Sequence, residues 1–232
     1  MKSVPDLSLT IPLLNEEDGV QDVVNSITKH LSSKYIKYQI ILVNNGSTDN
    51  TQKVIEYLAR RDPGILPLRL EVNKGYGGGI LAGLERASAP IVGYLWGDEQ
   101  VAPYVLTEAW RAIHDQNVDI AKARRRVRLD GFDRFLITRA YHCAVSALFP
   151  CPSRDINGCP KLFKREVLDR IRPQSTDWFI DAEIMLKAQK LGFRIHEIDV
   201  VAWPRLTGRS KVRWETLGEF ALNLIRLRVG SW

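Results

Sequence analysis

The sequence is poor in long apolar runs, cysteine pairs and clustered histidines, three features that often assign a protein to a class at once. No window of about eighteen apolar residues occurs, so we expect no membrane-spanning helix. The opening MKSVPDLSLT has no apolar core, so we also expect no secretory signal. Hydrophobic residues make up 45% and charged residues 26% of the chain, which is ordinary for a soluble globular protein.

Cysteine and histidine chemistry is not indicated. The three cysteines, Cys143, Cys151 and Cys159, are odd in number and lack the C-x-x-C spacing of metal sites. We therefore expect the reduced thiols of a cytoplasmic protein rather than disulfides or a zinc site. The four histidines match no motif and receive no catalytic role.

A glycine-rich stretch, NKGYGGGILAG at Asn73–Gly83, fails the two common phosphate-loop patterns. A dinucleotide fingerprint would need glycine at Ile80, and no G-x-x-x-x-G-K-[ST] is present. Two interpretations stay open. Glycines at a helix start let backbone N–H groups approach a diphosphate, or they form a flexible turn.

Basic charge is concentrated in the second half of the chain. The formal net charge is +6, and AKARRRVR at Ala121–Arg128 is the densest basic run. Such a balance favours an anionic ligand, a lipid head group or nucleic acid, although a solvated surface is the ordinary alternative. Aromatic residues are not interleaved with the arginines, so we do not expect a nucleic-acid partner.

Two apolar runs stop abruptly in acidic, amide and hydroxyl residues. They are IPLLNEE at Ile11–Glu17 and ILVNNGSTDNT at Ile41–Thr51. Runs of this kind predict buried parallel strands, and ligands of doubly wound sheets bind where such strands end. The sequence therefore predicts one polar crevice at this edge of a sheet.

The first half alternates strand and helix, which predicts an α/β fold with a mostly parallel sheet flanked by helices. The predicted strands are Leu7–Leu14, Tyr38–Val43, Pro67–Val72, Ile91–Leu95 and Val118–Ala121. The predicted helices are Asp18–Leu31, Thr48–Arg61, Gly78–Ala87 and Pro103–Asp115.

The rhythm changes after Arg124. The predicted elements there are a helix at Phe132–Leu148, an extended piece at Cys159–Phe163, a helix at Asp181–Leu191, a strand at Phe193–Val200 and an amphipathic helix at Trp214–Leu227. No linker is evident, so we expect one domain, with a nucleotide-binding half at about 1–122 and an acceptor-binding half at about 123–232. The last helix fits core packing or contact with an anionic membrane surface.

The fourth predicted strand ends in YLWGDEQVAP at Tyr94–Pro103. Asp98, Glu99 and Gln100 are hard oxygen donors, and such donors suit Mg²⁺ or Mn²⁺ shared with phosphate oxygens. A solvated turn is the alternative for this cluster taken alone.

The order of these motifs resembles that of family-2 glycosyltransferases with the GT-A fold, in particular the dolichol- or polyprenyl-phosphate sugar synthases. P-x-x-N-E-E is matched at Pro12–Glu17, D-D-G-S-x-D-x-T at Asn44–Thr51, N-x-G at Asn73–Gly75, and D-A-D-x-Q…P at Trp96–Pro103. Later segments resemble the family's R-D-x-x-x-G-x-K-x-F, D-x-E and R-x-x-G-x-S-K patterns: Arg154–Leu168, Asp181–Val200 and Arg205–Lys211. The resemblance runs from about Leu7 to Lys211.

The resemblance implies transfer of a sugar from a UDP- or GDP-sugar, with inversion, to a lipid phosphate with help from a divalent metal. It assigns nucleotide-sugar binding to Pro12, Asn15, Glu17, Asn45, Ser47, Asp49, Lys74, Gly75 and Gly97. It assigns the metal to Asp98 with Gln100, and catalytic roles to Asp98, Asp181 and Arg205. Candidates for the acceptor phosphate are Arg124, Arg139, Arg154, Arg205, Ser210 and Lys211.

Two departures from the family pattern matter. Trp96 stands where the first metal-site aspartate belongs, and Asn44 and Asn45 replace a pair of aspartates. These changes leave open an unusual donor, weaker metal dependence, or a member that binds nucleotide without turnover.

The acceptor decides whether a base is needed. A phosphate acceptor is already ionised near neutral pH and scarcely needs one. A soluble hydroxyl acceptor, the alternative, would need a carboxylate such as Asp181, whose other interpretation is a helix cap in a buried salt bridge.

Overall fold

The computed structural model describes residues 4–97, 102–128, 153 and 155–202. Its first half is the predicted alternation of strands and helices. The elements are β1 Leu7–Leu13, α1 Val20–Ser33, β2 Tyr38–Asn45, α2 Thr51–Arg61, β3 Ile65–Leu70, α3 Gly75–Leu84, β4 Ile91–Tyr94, α4 Tyr104–Gln116 and β5 Ile120–Arg128. The described second half adds β6 Lys161–Lys164, α5 Arg165–Ile171, α6 Ile180–Lys190 and β7 Ile195–Ala202.

The strands form a seven-stranded sheet in the order β3-β2-β1-β4-β6-β5-β7. β3, β2, β1 and β4 run parallel to one another, while β6 lies antiparallel between β4 and β5. β7 is parallel to β5 at one edge. The predicted α/β architecture with a mostly parallel sheet is confirmed.

Helices cover both faces of the sheet, which explains why β1 and β2 are nearly continuous apolar runs. One face packs against α1, α2 and α4 through side chains such as Val24, Ile55 and Leu106. The opposite face packs against α3, α5 and α6 through side chains such as Ile80 and Ile184. Most helical stability in such a layer comes from this apolar burial.

Several boundaries differ from the sequence-based expectation for reasons that lie in strand pairing. β5 runs to Arg128 instead of ending at Ala121, because β7 pairs with it along its length, for example Arg124 with Asp199. β3 begins at Ile65, where it meets Ile40 of β2. The short helix α5 was not predicted.

Two helices also begin at places other than expected. α2 begins at Thr51 rather than Thr48, because residues 47–50 bind the loop after β1. α3 begins at Gly75 rather than Gly78. The predicted helices at Phe132–Leu148 and Trp214–Leu227 lie outside the described residues. Among the residues that are described, no helix has the length and apolarity to cross a bilayer.

Candidate functional site

The carboxyl ends of β1, β2 and β4 lie side by side. β1 pairs with β2 up to Leu13 opposite Asn44, and with β4 up to Thr10 opposite Tyr94. The Leu95 amide then donates to the Thr10 carbonyl at 3.1 Å, which carries the pairing one residue further. The residues that follow these three strands therefore begin at the same edge of the sheet, as the crevice hypothesis requires.

The loops after β1 and β2 are joined by reciprocal hydrogen bonds. The Asn15 amide donates to Ser47 Oγ at 3.0 Å, and Asn15 Oδ1 accepts from the Thr48 amide at 2.8 Å. The Glu17 amide donates to Asp49 Oδ2 at 3.2 Å. In return, Glu17 Oε2 accepts from the amide of Asn50 at 3.0 Å. Four predicted nucleotide-binding residues thus form one surface: Asn15, Glu17, Ser47 and Asp49.

Asp49 is ionised and held at the start of α2. Burial raises the pKa of its carboxyl, but hydrogen bonds from Thr51 and from the Glu17 amide outweigh that effect and hold the pKa below its usual value. Its Oδ1 accepts from the Thr51 amide at 3.0 Å. A carboxylate here also complements the positive end of the helix dipole.

Asn45 connects β2 to the turn before α3. Its Nδ2 donates to the Gly75 carbonyl at 2.8 Å and to Asn73 Oδ1 at 3.2 Å. Its Oδ1 accepts from the Lys74 amide at 3.0 Å. An aspartate side chain has no N–H to donate to the Gly75 carbonyl or to Asn73 Oδ1. Asparagine is therefore the residue that suits this turn.

Asn44 takes part in a similar chain of amides. Its Nδ2 donates to Gln52 Oε1 at 2.8 Å, and Gln52 Nε2 donates onward to Glu56 Oε1 at 2.8 Å. Its Oδ1 accepts from the Ser47 amide at 2.9 Å. The two asparagines that depart from the family motif are therefore both built into the hydrogen bonding of this edge.

The glycine-rich start of α3 packs against the loop Pro173–Trp178 of the same chain. The Gly78 amide donates to the Thr176 carbonyl at 2.9 Å. A Cβ on Gly75 or Gly77 would overlap the carbonyl oxygens of this loop, and Gly75 also has φ +79°. In the structure, the close backbone approach that glycine allows is made to this protein loop.

Pro12 and Gly97 complete the described part of the edge. Pro12 pairs with Val43 and lies against Gly79 of α3, where a Cβ would come within 3.1 Å of the proline Cβ. Gly97 lies against Leu13, where a Cβ would come within 2.7 Å of Leu13 Cδ2. The two glycines, Gly79 and Gly97, allow α3 and the segment after β4 to lie close to β1.

Trp96 occupies the position of the expected metal-site aspartate. Its Nε1 donates to the Tyr76 hydroxyl at 2.8 Å, and the Arg125 guanidinium carbon lies 5.2 Å from the centroid of the Trp96 ring. A neutral aromatic ring suits this place, because Arg125 already has a carboxylate partner in Asp155.

Arg125 and Asp155 form a buried ion pair. Arg125 Nε donates to Asp155 Oδ2 at 2.8 Å, and an Arg125 terminal nitrogen donates to Oδ1 at 2.7 Å. The Arg125 amide adds a third bond to Oδ2 at 2.9 Å. Burial raises the pKa of Asp155, but the hydrogen bonds and charge of Arg125 dominate and hold it far below its usual value.

Lys122 holds the segment that contains Ser153 and Asp155. Its side chain is 0% exposed, and its Nζ donates to the carbonyls of Ala123 and Asp155 and to Ser153 Oγ. Glu197 Oε1 lies 3.4 Å from the same Nζ. Burial lowers the pKa of Lys122, and the neighbouring carboxylates oppose that shift.

Asp181, a predicted catalytic residue, is buried at the start of α6. Its Oδ1 accepts from the Tyr94 hydroxyl at 2.7 Å and is also bound by the ammonium group of Lys161. Asp181 is 2% exposed and Lys161 is 0% exposed. Burial, followed by the Asp181 charge, raises the pKa of Tyr94 well above its usual value, so this hydroxyl stays neutral.

Arg124, a predicted acceptor-phosphate residue, points to β7. Its Nε and one terminal nitrogen donate to the two carboxylate oxygens of Asp199 at 2.5 and 2.6 Å. Glu197 lies 3.8 Å away. This two-point arrangement is the one that a guanidinium also uses for phosphate.

The remaining predicted site residues lie outside the described residues: Asp98, Gln100, Arg139, Arg154, Arg205, Ser210 and Lys211. Within the described ranges, no group of three or more histidine, cysteine or acidic side chains is arranged to hold a metal ion. Asp98 and Gln100 stay the predicted metal ligands on the grounds of their side-chain chemistry.

A sequence model of the family described as "Glycosyl transferase family 2" matches residues 8–172, which is most of the chain. The chain belongs to this family. It is a glycosyltransferase, and the predicted family resemblance is confirmed.

Two relatives of this family member are named for lipid phosphates. The dolichyl-phosphate beta-glucosyltransferase ALG5A of Trichomonas vaginalis is 27% identical, over 97% of this chain and 75% of the relative. An undecaprenyl-phosphate 4-deoxy-4-formamido-L-arabinose transferase of Proteus mirabilis is 25% identical, over 90% of this chain and 64% of the relative.

Solved structures confirm the GT-A fold. Glucosyl-3-phosphoglycerate synthase of Mycobacterium tuberculosis, solved with Mn²⁺, UDP and phosphoglyceric acid, matches with a TM-score of 0.75. The two share 19% identity over 97% of this chain and 79% of that chain.

Sequence reasoning missed several side chains that contact Trp96, Asp155 or Asp181, or that pack against such contacts. Lys122 and Arg125 were read as part of a basic run, although alternation along β5 turns Arg125 and Lys122 to opposite faces of the sheet. Tyr76 and Trp178, whose rings stack at 4.3 Å, are 102 positions apart and have no local signal. Lys161 was visible only as the lysine of the K-x-F pattern.

Proposed function

We propose that this glycosyltransferase moves a sugar, with inversion, from a UDP- or GDP-sugar to a polyprenyl phosphate. The donor would lie on the surface formed by the loops after β1 and β2 and by the turn before α3. The residues proposed to contact it are Pro12, Asn15, Glu17, Asn45, Ser47, Asp49, Lys74, Gly75 and Gly97.

The pairing of Asp181 is the observation that carries the choice of acceptor. Asp181 is the predicted base for a hydroxyl acceptor. Both Lys161 and Tyr94 bind its Oδ1. A general base must reach the acceptor proton, and a carboxylate that is 2% exposed and bound in this way is poorly placed to do so. A phosphate acceptor avoids this requirement because it is already an anion and attacks without losing a proton.

The names of the relatives support the same acceptor class. The ALG5A protein is named for a dolichyl phosphate, and the Proteus mirabilis transferase for an undecaprenyl phosphate. Both are long-chain lipid phosphates. We propose that the present chain works as a peripheral protein at the cytosolic membrane face, where such acceptors are accessible.

Cationic side chains are proposed to orient the acceptor phosphate. Arginine suits this role because its planar fork binds two phosphate oxygens at once. Arg205 takes the main part, with Ser210 and Lys211 in the same glycine-containing segment. The other proposed contacts are Arg124, Arg139 and Arg154.

Asp98 and Gln100 are the residues that would hold Mg²⁺ or Mn²⁺. A divalent ion bound there supplies positive charge against the diphosphate as it leaves. Two neighbouring residues bear on this proposed metal site. Gly97 has no side chain to collide with Leu13, and Trp96 adds no negative charge beside Asp98.

Labelled nucleotide sugars with two kinds of acceptor test the proposal. We expect product from short prenyl phosphates and none from hydroxyl acceptors such as phosphoglyceric acid or simple glycosides. The Asp98→Ala variant should lose metal-dependent turnover while keeping the far-UV circular dichroism of the wild type. Product with hydroxyl acceptors alone would overturn the acceptor assignment. Unchanged turnover in Asp98→Ala would remove this residue from the site.

A further inference from the structure

We propose that Tyr76 is a positioning residue that holds Trp96, and with it the start of the polar segment that follows β4. This inference rests on the proposed function, because that segment contains the residues proposed to hold the metal. Tyr76 matches no motif, and nothing in the sequence marks it out from the glycines around it.

The Trp96 side chain is held at its edge and on its face. An indole has one polar atom, Nε1, and here it donates to the Tyr76 hydroxyl at 2.8 Å. The Arg125 guanidinium carbon lies 5.2 Å from the ring centroid, and Arg125 is itself held by Asp155. Removal of the Tyr76 hydroxyl would leave the half-buried indole N–H without its acceptor.

Tyr76 is in turn held by groups from outside α3. Its ring stacks on Trp178, with centroids 4.3 Å apart and an angle of 15° between the planes. Burial, and then the charge of Asp181, raise the pKa of Tyr76 well above its usual value, so the hydroxyl keeps its proton.

The loop that carries Trp178 is anchored at both sides. Glu183 of α6 accepts from the Gln174 and Ser175 amides at 3.0 and 2.7 Å. The Gly78 amide of α3 donates to the Thr176 carbonyl at 2.9 Å. Trp178 is therefore packed together with α3 and α6. Tyr76 stacks on Trp178 and accepts a hydrogen bond from Trp96, so it links Trp96 to these two helices.

The consequence concerns the residues next to Trp96. Asp98 is two positions further along the chain. A Trp96 side chain that loses its edge contact allows the backbone before Asp98 to adopt other orientations. The predicted effect is a weaker response of nucleotide binding to the metal, together with slower turnover, while the acceptor requirement is unchanged.

The Tyr76→Phe variant removes one hydroxyl and keeps the ring that stacks on Trp178. Tyr57→Phe is a matched control, because Tyr57 is an exposed α2 residue whose hydroxyl accepts from Arg61. Titration calorimetry with UDP and with GDP, at a series of MnCl₂ concentrations, gives the metal concentration for half-maximal nucleotide affinity. We expect about a tenfold increase for Tyr76→Phe and no change for Tyr57→Phe.

Kinetics and a double-mutant cycle separate positioning from a loss of stability. Tyr76→Phe should lower kcat about tenfold with an unchanged KM for prenyl phosphate. Trp96→Phe removes the donor of the same hydrogen bond, so adding it to Tyr76→Phe should change the half-maximal metal concentration less than twofold. Thermal denaturation identifies any variant that fails to fold.

The outcomes distinguish this inference from the function on which it rests. If the wild-type chain binds neither UDP nor GDP with Mn²⁺, both are overturned. If the wild type binds and Tyr76→Phe behaves like Tyr57→Phe, only the role of Tyr76 is overturned. Independent, multiplying effects of the Tyr76 and Trp96 substitutions would also overturn it.

Discussion

The loops after β1 and β2 are joined by hydrogen bonds between amides, hydroxyls and partly buried carboxylates, whereas β5, β6 and α6 are joined by charged side chains away from water. In the first region, Asn15 and Glu17 exchange bonds with backbone amides near the surface. In the second, Lys122, Lys161 and Asp181 are almost completely buried.

The difference separates binding from stability. Surface amides and hydroxyls can exchange their partners for water or for a ligand at little net change in free energy. A buried charge that loses its partner has no such replacement. We therefore expect substitutions in the loops after β1 and β2, the donor edge, to act mainly on nucleotide binding. Substitutions among the buried charges of β5, β6 and α6 should act mainly on folding.

The largest expected effect comes from Asp155→Asn. The substitution removes the carboxylate charge that binds the Arg125 side chain at two points, and we expect a loss of about 4 kcal/mol in the free energy of unfolding. Urea denaturation followed by circular dichroism measures it. Glu56→Gln is the control, since Glu56 is an exposed acceptor on α2. A loss below about 1 kcal/mol would show that water reaches Arg125.

Acid conditions sharpen the same test. The folded-state pKa of Asp155 is depressed, so its contribution is complete above its unfolded pKa of about 3.9 and is lost as the pH falls toward the folded value. Between about pH 5 and pH 2, the wild type should lose more stability than Asp155→Asn. Parallel pH profiles for the two proteins would contradict the assignment.

The pair of Lys161 and Asp181 is expected to have the next largest effect. Lys161→Met leaves the buried Asp181 carboxylate with Tyr94 and should reduce the free energy of unfolding by about 3 kcal/mol. The double variant Lys161→Met/Asp181→Asn should recover about 2 kcal/mol of that loss relative to the sum of the single variants. Additive losses in urea denaturation would show that the two charges do not depend on each other.

How far the sequence predicted this fold differs between the same two regions. Local periodicity and the polar strand ends predicted the elements of the first half, with boundaries shifted by a few residues. β5 was predicted too short because its extension depends on pairing with β7, whose residues lie about 75 positions further along the chain. Such pairing leaves no trace in a local window.

The site shows the same contrast. Asn15, Glu17 and Asp49 were predicted as site residues from the family resemblance, and the polar ends of two apolar strands predicted the crevice in which they lie. The partner of Asp181 was not predicted, because Lys161 belongs to a different strand and only the antiparallel insertion of β6 brings it there. In the sequence, Asn44 and Asn45 are departures from a pair of aspartates in the family pattern. In the structure, both side chains donate N–H hydrogen bonds that an aspartate could not make.

Asn45→Asp is expected to have an intermediate effect. The new carboxylate would face the Gly75 carbonyl, which accepts from Asn45 Nδ2 at 2.8 Å, with no hydrogen to offer. We expect a loss of about 2 kcal/mol in urea denaturation. Asn50→Asp is the matched control, because this exposed residue precedes α2, where a negative charge is favourable. Equal effects of the two variants would show that the Asn45 bonds are not specific.

The smallest expected effect on folding comes from Glu17→Gln. Its Oε2 accepts from the Asn50 amide at 3.0 Å, and a glutamine oxygen can still accept that bond. We therefore expect a change in the free energy of unfolding of about 0.5 kcal/mol. If Glu17 contacts the nucleoside as proposed, the affinity for UDP or GDP in calorimetry should fall by a larger factor than this stability change implies. A variant with wild-type nucleotide affinity would show that Glu17 only joins the two loops. The loops after β1 and β2 would then contain residues that serve stability as well as residues that bind nucleotide.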